Sequence, residues 1–136
     1  MTWLQLFGRL GRVTAVAAML GAVLLGCAGQ PEAPRLRIAN QGKLDIDSLT
    51  VIFPEDRIVY TDIAADSTTE YREVPHGVYG YAAYQVEVDG QFIELPVIDW
   101  VGEGPMLGDD FTYSLDVDPA RSRWQVVQVI QVTRDK

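Results

Sequence analysis

Cysteine and histidine are almost absent from this chain: of 136 residues, one is Cys (Cys27) and one is His (His76). A single cysteine excludes any intramolecular disulfide, so the fold has to rest on its packed core. Zinc needs three or four His, Cys or carboxylate ligands, and the usual sets cannot be assembled here. Basic charge is scarce as well, with 11 Lys and Arg against 19 Asp and Glu and a formal net charge of −8. Such a surface repels phosphate backbones and anionic lipid headgroups, which excludes nucleic acid as a partner and charge-driven membrane adhesion. The one extended apolar run, residues 13–25, is well short of the ~20 residues that span a bilayer as a helix. No stretch after residue 30 has helical periodicity. No Gly-x-Ser-x-Gly elbow surrounds Ser48, Ser67, Ser114 or Ser122.

What the chain does have begins at its first residue. Residues 1–12 carry Arg9 and Arg12 and no acid, the composition of a signal n-region, and residues 13–25 have the length of its apolar h-region. Extending that run back towards Trp3 would drag both arginines into hydrocarbon, at high cost. The run ends in Leu24-Leu25-Gly26-Cys27. This resembles the bacterial lipobox, with Leu25 where Ala, Ser or Thr is commoner. The resemblance covers residues 1–27. It implies that Cys27 receives a diacylglyceryl group, that signal peptidase II cuts just before it, and that the new amino group is acylated too. Two or more acyl chains hold a protein stably at a membrane where one does not. Ala28 stands where an Asp would retain a lipoprotein at the inner membrane, so the expected location is the outer membrane of the cell envelope, if the organism has one. Cleavage would remove 26 residues with both arginines and no acid, leaving 110 residues and a formal charge of −10. The domains read as 1–26 signal peptide, 27–34 lipidated Cys27 with a Pro-containing tether, and 35–136 a folded domain.

That domain alternates with period two. Leu36 and Ile38, then Leu49, Val51 and Phe53, then Ile58 and Tyr60 each mark one face of a strand. Residues 68–74 and 79–88 read as two further strands. Asp89-Gly90 joins residues 79–88 to 91–97 as a hairpin. Phe111, Tyr113, Leu115 and Val117 mark another strand. Residues 124–133 close the domain, with Trp124, Val126, Gln128, Ile130 and Val132 on one face and Gln125, Val127, Val129 and Gln131 on the other. Seven or eight short strands with regular turns predict an all-β fold, an antiparallel immunoglobulin-like or prealbumin-like sandwich. Val74-Pro75-His76-Gly77-Val78-Tyr79 resembles the turn that enters a strand in transthyretin-like and carboxypeptidase-regulatory-like sandwiches. There the Gly takes a positive φ and the aromatic enters the core. The resemblance spans about a dozen residues and implies architecture only.

The candidate sites are few. His76 sits in a turn, where a hydrolase would have to use it, and solvent exposure is the simpler expectation. Glu70, Glu73 and His76 share a helical spacing, but on a segment that reads as strand and turn. Asp45 with Asp47, and Asp109-Asp110 with Asp116 and Asp118, lie near loop ends, where Asp serves chiefly as turn former and solubiliser; calcium is the alternative. Residues 99–109 form a Gly- and Pro-containing loop that carries Trp100, Met106 and Leu107, a candidate partner-binding loop. The simpler reading is that Trp100 and Leu107 plug the open end of the sandwich. Tyr71, Tyr79, Tyr81 and Tyr84 suggest a sugar-stacking platform, against which alternation puts Tyr84 on the face opposite Tyr79 and Tyr81. The chain therefore reads as a membrane-anchored envelope lipoprotein with a non-catalytic sandwich, no cofactor, and a structural or binding role towards an envelope partner. The alternatives are an envelope hydrolase or metal-dependent enzyme using His76 and nearby acids, and a small-ligand carrier.

Overall fold

In the computed structural model, the described residues are 29, 32–97 and 99–136. The expected signal peptide, Cys27 and the first part of the tether lie outside them. The regular structure of the described residues is nine strands in two sheets and one turn of 3₁₀ helix. The strands are β1 (Arg35–Asn40), β2 (Ile46–Ile52), β3 (Arg57–Ile63), β4 (Ser67–Thr68), β5 (Arg72–Glu73), β6 (Ala83–Val88), β7 (Gln91–Leu95), β8 (Asp110–Val117) and β9 (Val127–Asp135). One sheet runs β4-β1-β8-β9, with β5 also paired to β1; the other runs β3-β2-β6-β7. The sandwich expected from the alternation is therefore present.

Pairing is antiparallel except between β1 and β8, where Leu36 lies opposite Phe111 and Asn40 opposite Leu115 in parallel register. Parallel neighbours need a long crossover. Here the whole second sheet, together with β4 and β5, lies between the two strands in sequence. The inward alternation holds: Leu36, Ile38, Leu49, Val51, Phe53, Tyr60, Val86, Val88, Phe111, Tyr113 and Leu115 are all buried between the sheets. The Tyr60 hydroxyl donates to the Leu36 carbonyl at 2.6 Å, which ties the two sheets together, and burial pushes that hydroxyl's pKa up.

Three stretches depart from the expected strands, the first being residues 79–82, which are not strand, so that β6 begins only at Ala83. Residues 68–74 do not form one strand. The segment pairs with β1 twice, as β4 and β5; Thr69 keeps its amide on the Ile38 carbonyl at 2.8 Å, and residues 70 and 71 leave the ladder. There the Thr69 hydroxyl accepts the Ile38 amide at 3.0 Å, replacing a backbone partner with a side chain. The last strand begins later than residue 124, because Arg123–Gln125 is a turn of 3₁₀ helix, and it runs on past residue 133 to Asp135. In β9 a bulge lies opposite Ser114/Leu115, so Gln131 pairs with Ser114 and Val129 with Leu115. Ile130 is the extra residue and points to solvent. A one-residue insertion reverses a strand's phase. The inward set is thus Val127, Val129 and Val132, not either of the two alternating faces read from the sequence.

The Asp89-Gly90 hairpin forms as expected, with both residues at positive φ (51° and 70°), the conformation of a type I′ turn. At the same end of the sandwich, Asn40 pins two loops, residues 41–45 and the turn that leaves β3. Its buried amide nitrogen lies 2.9 Å from the Leu44 carbonyl, 3.2 Å from that of Ala64 and 3.4 Å from that of Ile63. Its Oδ1 accepts the Gly42 amide at 3.0 Å. Removing these partners strands buried carbonyls and an N–H. We expect Asn40→Ala to cost about 2–3 kcal/mol, seen as a lower urea midpoint at unchanged slope.

Candidate functional site

Strand directions divide the loops between two ends. One end, where residues 32–34 enter β1, holds the Phe53–Asp56 turn, residues 74–82 and residues 96–109. The opposite end holds residues 41–45, 64–66, 89–90 and 118–126.

At the entry end an aromatic cluster fills the space between the sheets. Trp100 stacks on Tyr81, with centroids 4.9 Å apart and planes at 9°, and meets Tyr79 edge-on at 5.3 Å. Tyr79 in turn packs on Phe53 at 5.6 Å, and Phe53 meets Tyr113 edge-on at 6.2 Å. Such pairs add roughly 0.5–1.5 kcal/mol each beyond burial. The Tyr113 hydroxyl donates to the Tyr79 carbonyl, and burial raises its pKa. Tyr79 and Tyr81 thus flank one indole, while Tyr84 is buried in the core and Tyr71 lies under the guanidinium groups of Arg35 and Arg37. The four tyrosines do not form one platform.

The loop of residues 99–109 is anchored at two points. Val78 and Met106 exchange backbone hydrogen bonds of 3.0 and 2.7 Å, and the Tyr81 hydroxyl donates to the Asp99 carbonyl at 2.7 Å. Trp100 and Met106 pack against the core, so these two members of the candidate partner-binding loop are structural in part. Leu107 does not plug the sandwich: it is 58% exposed, and Val101 is 84% exposed. Gly77 makes the close approach of residues 105–107 feasible. Its φ is +103°, and a Cβ there would lie 2.5 Å from Pro105 Cβ.

Beside Trp100 lies an open cleft of about 440 Å³ whose walls include Phe53, Pro54, Tyr84, Pro96, Glu94 and Arg123. The Tyr84 hydroxyl is buried without a hydrogen-bond partner among the described residues, and burial pushes its pKa up. Sequence reading missed a second apolar group. Phe92 and Trp124 are more than 60% exposed, and Arg123 lies over the Trp124 ring at 5.8 Å and lines a shallow groove with Phe92. The outward parity of Phe92 after the hairpin was a usable signal. Trp124 was hidden because its segment read as strand.

His76 is exposed in its turn. Its amide donates to Asp56 Oδ2 at 2.9 Å and its Nδ1 lies 3.0 Å from Asp56 Oδ1. None of its hydrogen bonds reaches a serine. Glu70 and Glu73 are not brought to it. Apart from Asp47, which is exposed and makes no side-chain bond among the described residues, the acidic groups near loop ends are tied to the protein itself. Asp109 pairs with Arg134, Asp110 with Arg35, and both Asp116 and Asp118 with Arg121, while Asp45 accepts the Ala65 amide. Among the described residues no three His, Cys, Asp or Glu side chains are placed to hold a metal ion. No family model, curated protein or solved structure matches the chain.

Two expectations follow from this end of the molecule. The hydrogen bond to Asp56, with its charge, raises the His76 pKa above 6.5. The pair therefore stabilises the fold below pH 6.5, and that contribution fades as pH rises through the folded-state value. NMR titration should find the raised pKa, and Asp56→Asn should lower it towards 6.5. Gly77→Ala meets both a disfavoured φ and Pro105, so a loss of about 2–3 kcal/mol in thermal or urea unfolding is expected.

Proposed function

We propose that this chain is a bacterial envelope lipoprotein, cut before Cys27 and held at a membrane by acyl chains on that cysteine, whose sandwich domain has a non-catalytic binding or structural role. The observation that carries this reading is Leu24-Leu25-Gly26-Cys27 closing an apolar run that follows Arg9 and Arg12. The order of the domain is compatible with such an anchor. Residues 32–34 enter β1 at one end of the sandwich, so a tether leaves from a single pole and the other pole stays clear of it. Anchoring of an acidic domain requires lipid, because the net charge of −8 on the chain opposes adhesion to anionic headgroups.

The strand order favours one of the two sandwich types over the other. Immunoglobulin sheets place the first two strands side by side. Here β1 and β2 belong to different sheets, which supports the prealbumin-like reading. The side chains that fill the space between the sheets weigh against a carrier that encloses its ligand. His76, bonded to Asp56 on the surface, lends the hydrolase reading no serine partner. A binding role finds its support in the exposed Phe92 and Trp124, with Arg123 beside them, away from the pole where the tether leaves. The outer membrane is the location this reading favours, if the organism has one, with an envelope protein as the partner.

Expression with a radiolabelled fatty acid tests the anchor. The chain should incorporate label and shift to the mass of the cleaved, acylated form. Cys27→Ala should abolish both labelling and cleavage, and persistent labelling of that variant would refute the reading.

A further inference from the structure

We propose that the loop of residues 99–108 is the membrane-facing surface of the anchored domain, with Val101 and Leu107 seated at the headgroup–acyl boundary of an electrically neutral bilayer. This inference rests on the lipoprotein reading, and adds to it a definite orientation and a lipid-contacting site.

Adjacency to the tether is the first support. The Val74 amide donates to the Pro34 carbonyl at 2.8 Å, and Val78, four residues on, is bonded on both sides to Met106. Glu32, Ala33 and Pro34 line one groove with Gly108, Asp109 and Asp110. The last tether residues therefore lie against the residue that follows Leu107. Reach is the second support. Seven residues separate Cys27 from Arg35, which extend to at most about 25 Å. A domain of about 100 residues has a radius of gyration of about 13 Å, and so is some 35 Å across. A tether shorter than the domain holds the pole it leaves from near the surface, and with it this loop.

Side-chain selection within the loop is the third support. Trp100 and Met106 turn inward to pack on the core, whereas their neighbours Val101 and Leu107 project into solvent. Gly102 and Gly108, at φ +82° and +84°, follow these two residues directly and turn the chain back after each. Two apolar side chains held out by a braced loop match the shallow burial that interfacial anchors achieve. Charge selects the lipid. Asp109 and Asp110 are neutralised by Arg134 and Arg35, but Glu32, Asp99 and Glu103 have no ion-pair partner among the described residues. An anionic bilayer would repel this pole, so a zwitterionic surface is the one it fits.

The test uses the full-length protein, purified from membranes and reconstituted in phosphatidylcholine vesicles. Single variants Val101→Cys, Leu107→Cys and Lys43→Cys, the last at the opposite pole, are labelled with an environment-sensitive dye. Acylation consumes the Cys27 thiol, so one label per chain is expected. Dye at 101 and 107 should shift to the blue and be quenched by spin-labelled lipid, with neither change at 43. Intact mass separates the two levels of failure. A chain without acyl groups at Cys27, which would also take up a second dye, sinks the lipoprotein reading and this one with it. An acylated chain whose 107 dye behaves like the 43 dye overturns only the membrane-facing loop. A blue shift seen in native envelope membranes but not in protein-free vesicles would assign the loop to a protein partner and overturn the lipid proposal. Raising the anionic lipid fraction should weaken quenching at 107; stronger quenching would contradict the choice of a neutral surface.

Discussion

The parallel pairing of Leu36 to Asn40 with Phe111 to Leu115 is the contact on which the other features depend. It joins residues 75 positions apart and puts β1, the first strand, in the middle of its sheet, with β4 and β5 on one side and β8 on the other. Because the two strands run the same way, their N-terminal ends coincide. The chain entering β1 therefore lies beside the loop entering β8, and Arg35 reaches Asp110 through two hydrogen bonds of 2.5 and 2.9 Å. An antiparallel pairing would have sent the residue 99–109 loop to the other pole. The pairing also has a kinetic consequence. Closing such a long loop costs entropy before the contact returns anything, so β1–β8 docking is expected late in folding.

The core is built from inward side chains of both sheets, and polar groups inside it are hydrogen-bonded at the points where the sheets meet. Tyr60 bonds the first strand from the opposite sheet, Tyr113 bonds the Tyr79 carbonyl, and Asn40 gathers two loops. Among the described residues Tyr84 departs from this, a buried hydroxyl without a partner next to the cleft beside Trp100. Exposed sheet edges are managed by irregularity and charge. The bulge at Ile130 bends β9, Arg57 and Asp62 occupy β3, with Asp62 at a positive φ, and the edge opposite β9 is split into two short pieces. Each device discourages edge-to-edge pairing of copies. The ion pairs at the two poles are mostly exposed and act to order loops more than to stabilise the fold.

Much of the sheet architecture was legible because period-two alternation and turn chemistry are local properties. Leu49, Val51 and Phe53, or Phe111, Tyr113 and Leu115, name their own buried face. Asp89-Gly90 names its own turn, since both positions need φ above zero. The misreadings fall where a distant partner intervenes. Residues 70 and 71 leave the ladder after a Thr69 hydroxyl takes the Ile38 amide, and Ile130 is extruded because β8 sets the register of β9. The candidate loop divides in the same way. Composition identified Trp100, Met106 and Leu107 together, but the bond between Val78 and Met106 and the stack on Tyr81 draw the first two inward and leave Leu107 outside with Val101.

By itself the sequence determined the all-β class, the net acidic charge and the absence of any intramolecular disulfide. These depend on residue type and short-range spacing alone. Only the tertiary structure decided which strand neighbours which, which pole the chain enters, and which apolar loop residues stay exposed. Such outcomes are set by contacts between residues far apart in the chain: β1 against β8, Gly77 against Pro105, Trp100 between Tyr79 and Tyr81. Alternation records that a residue faces a core without recording whose side chains fill it.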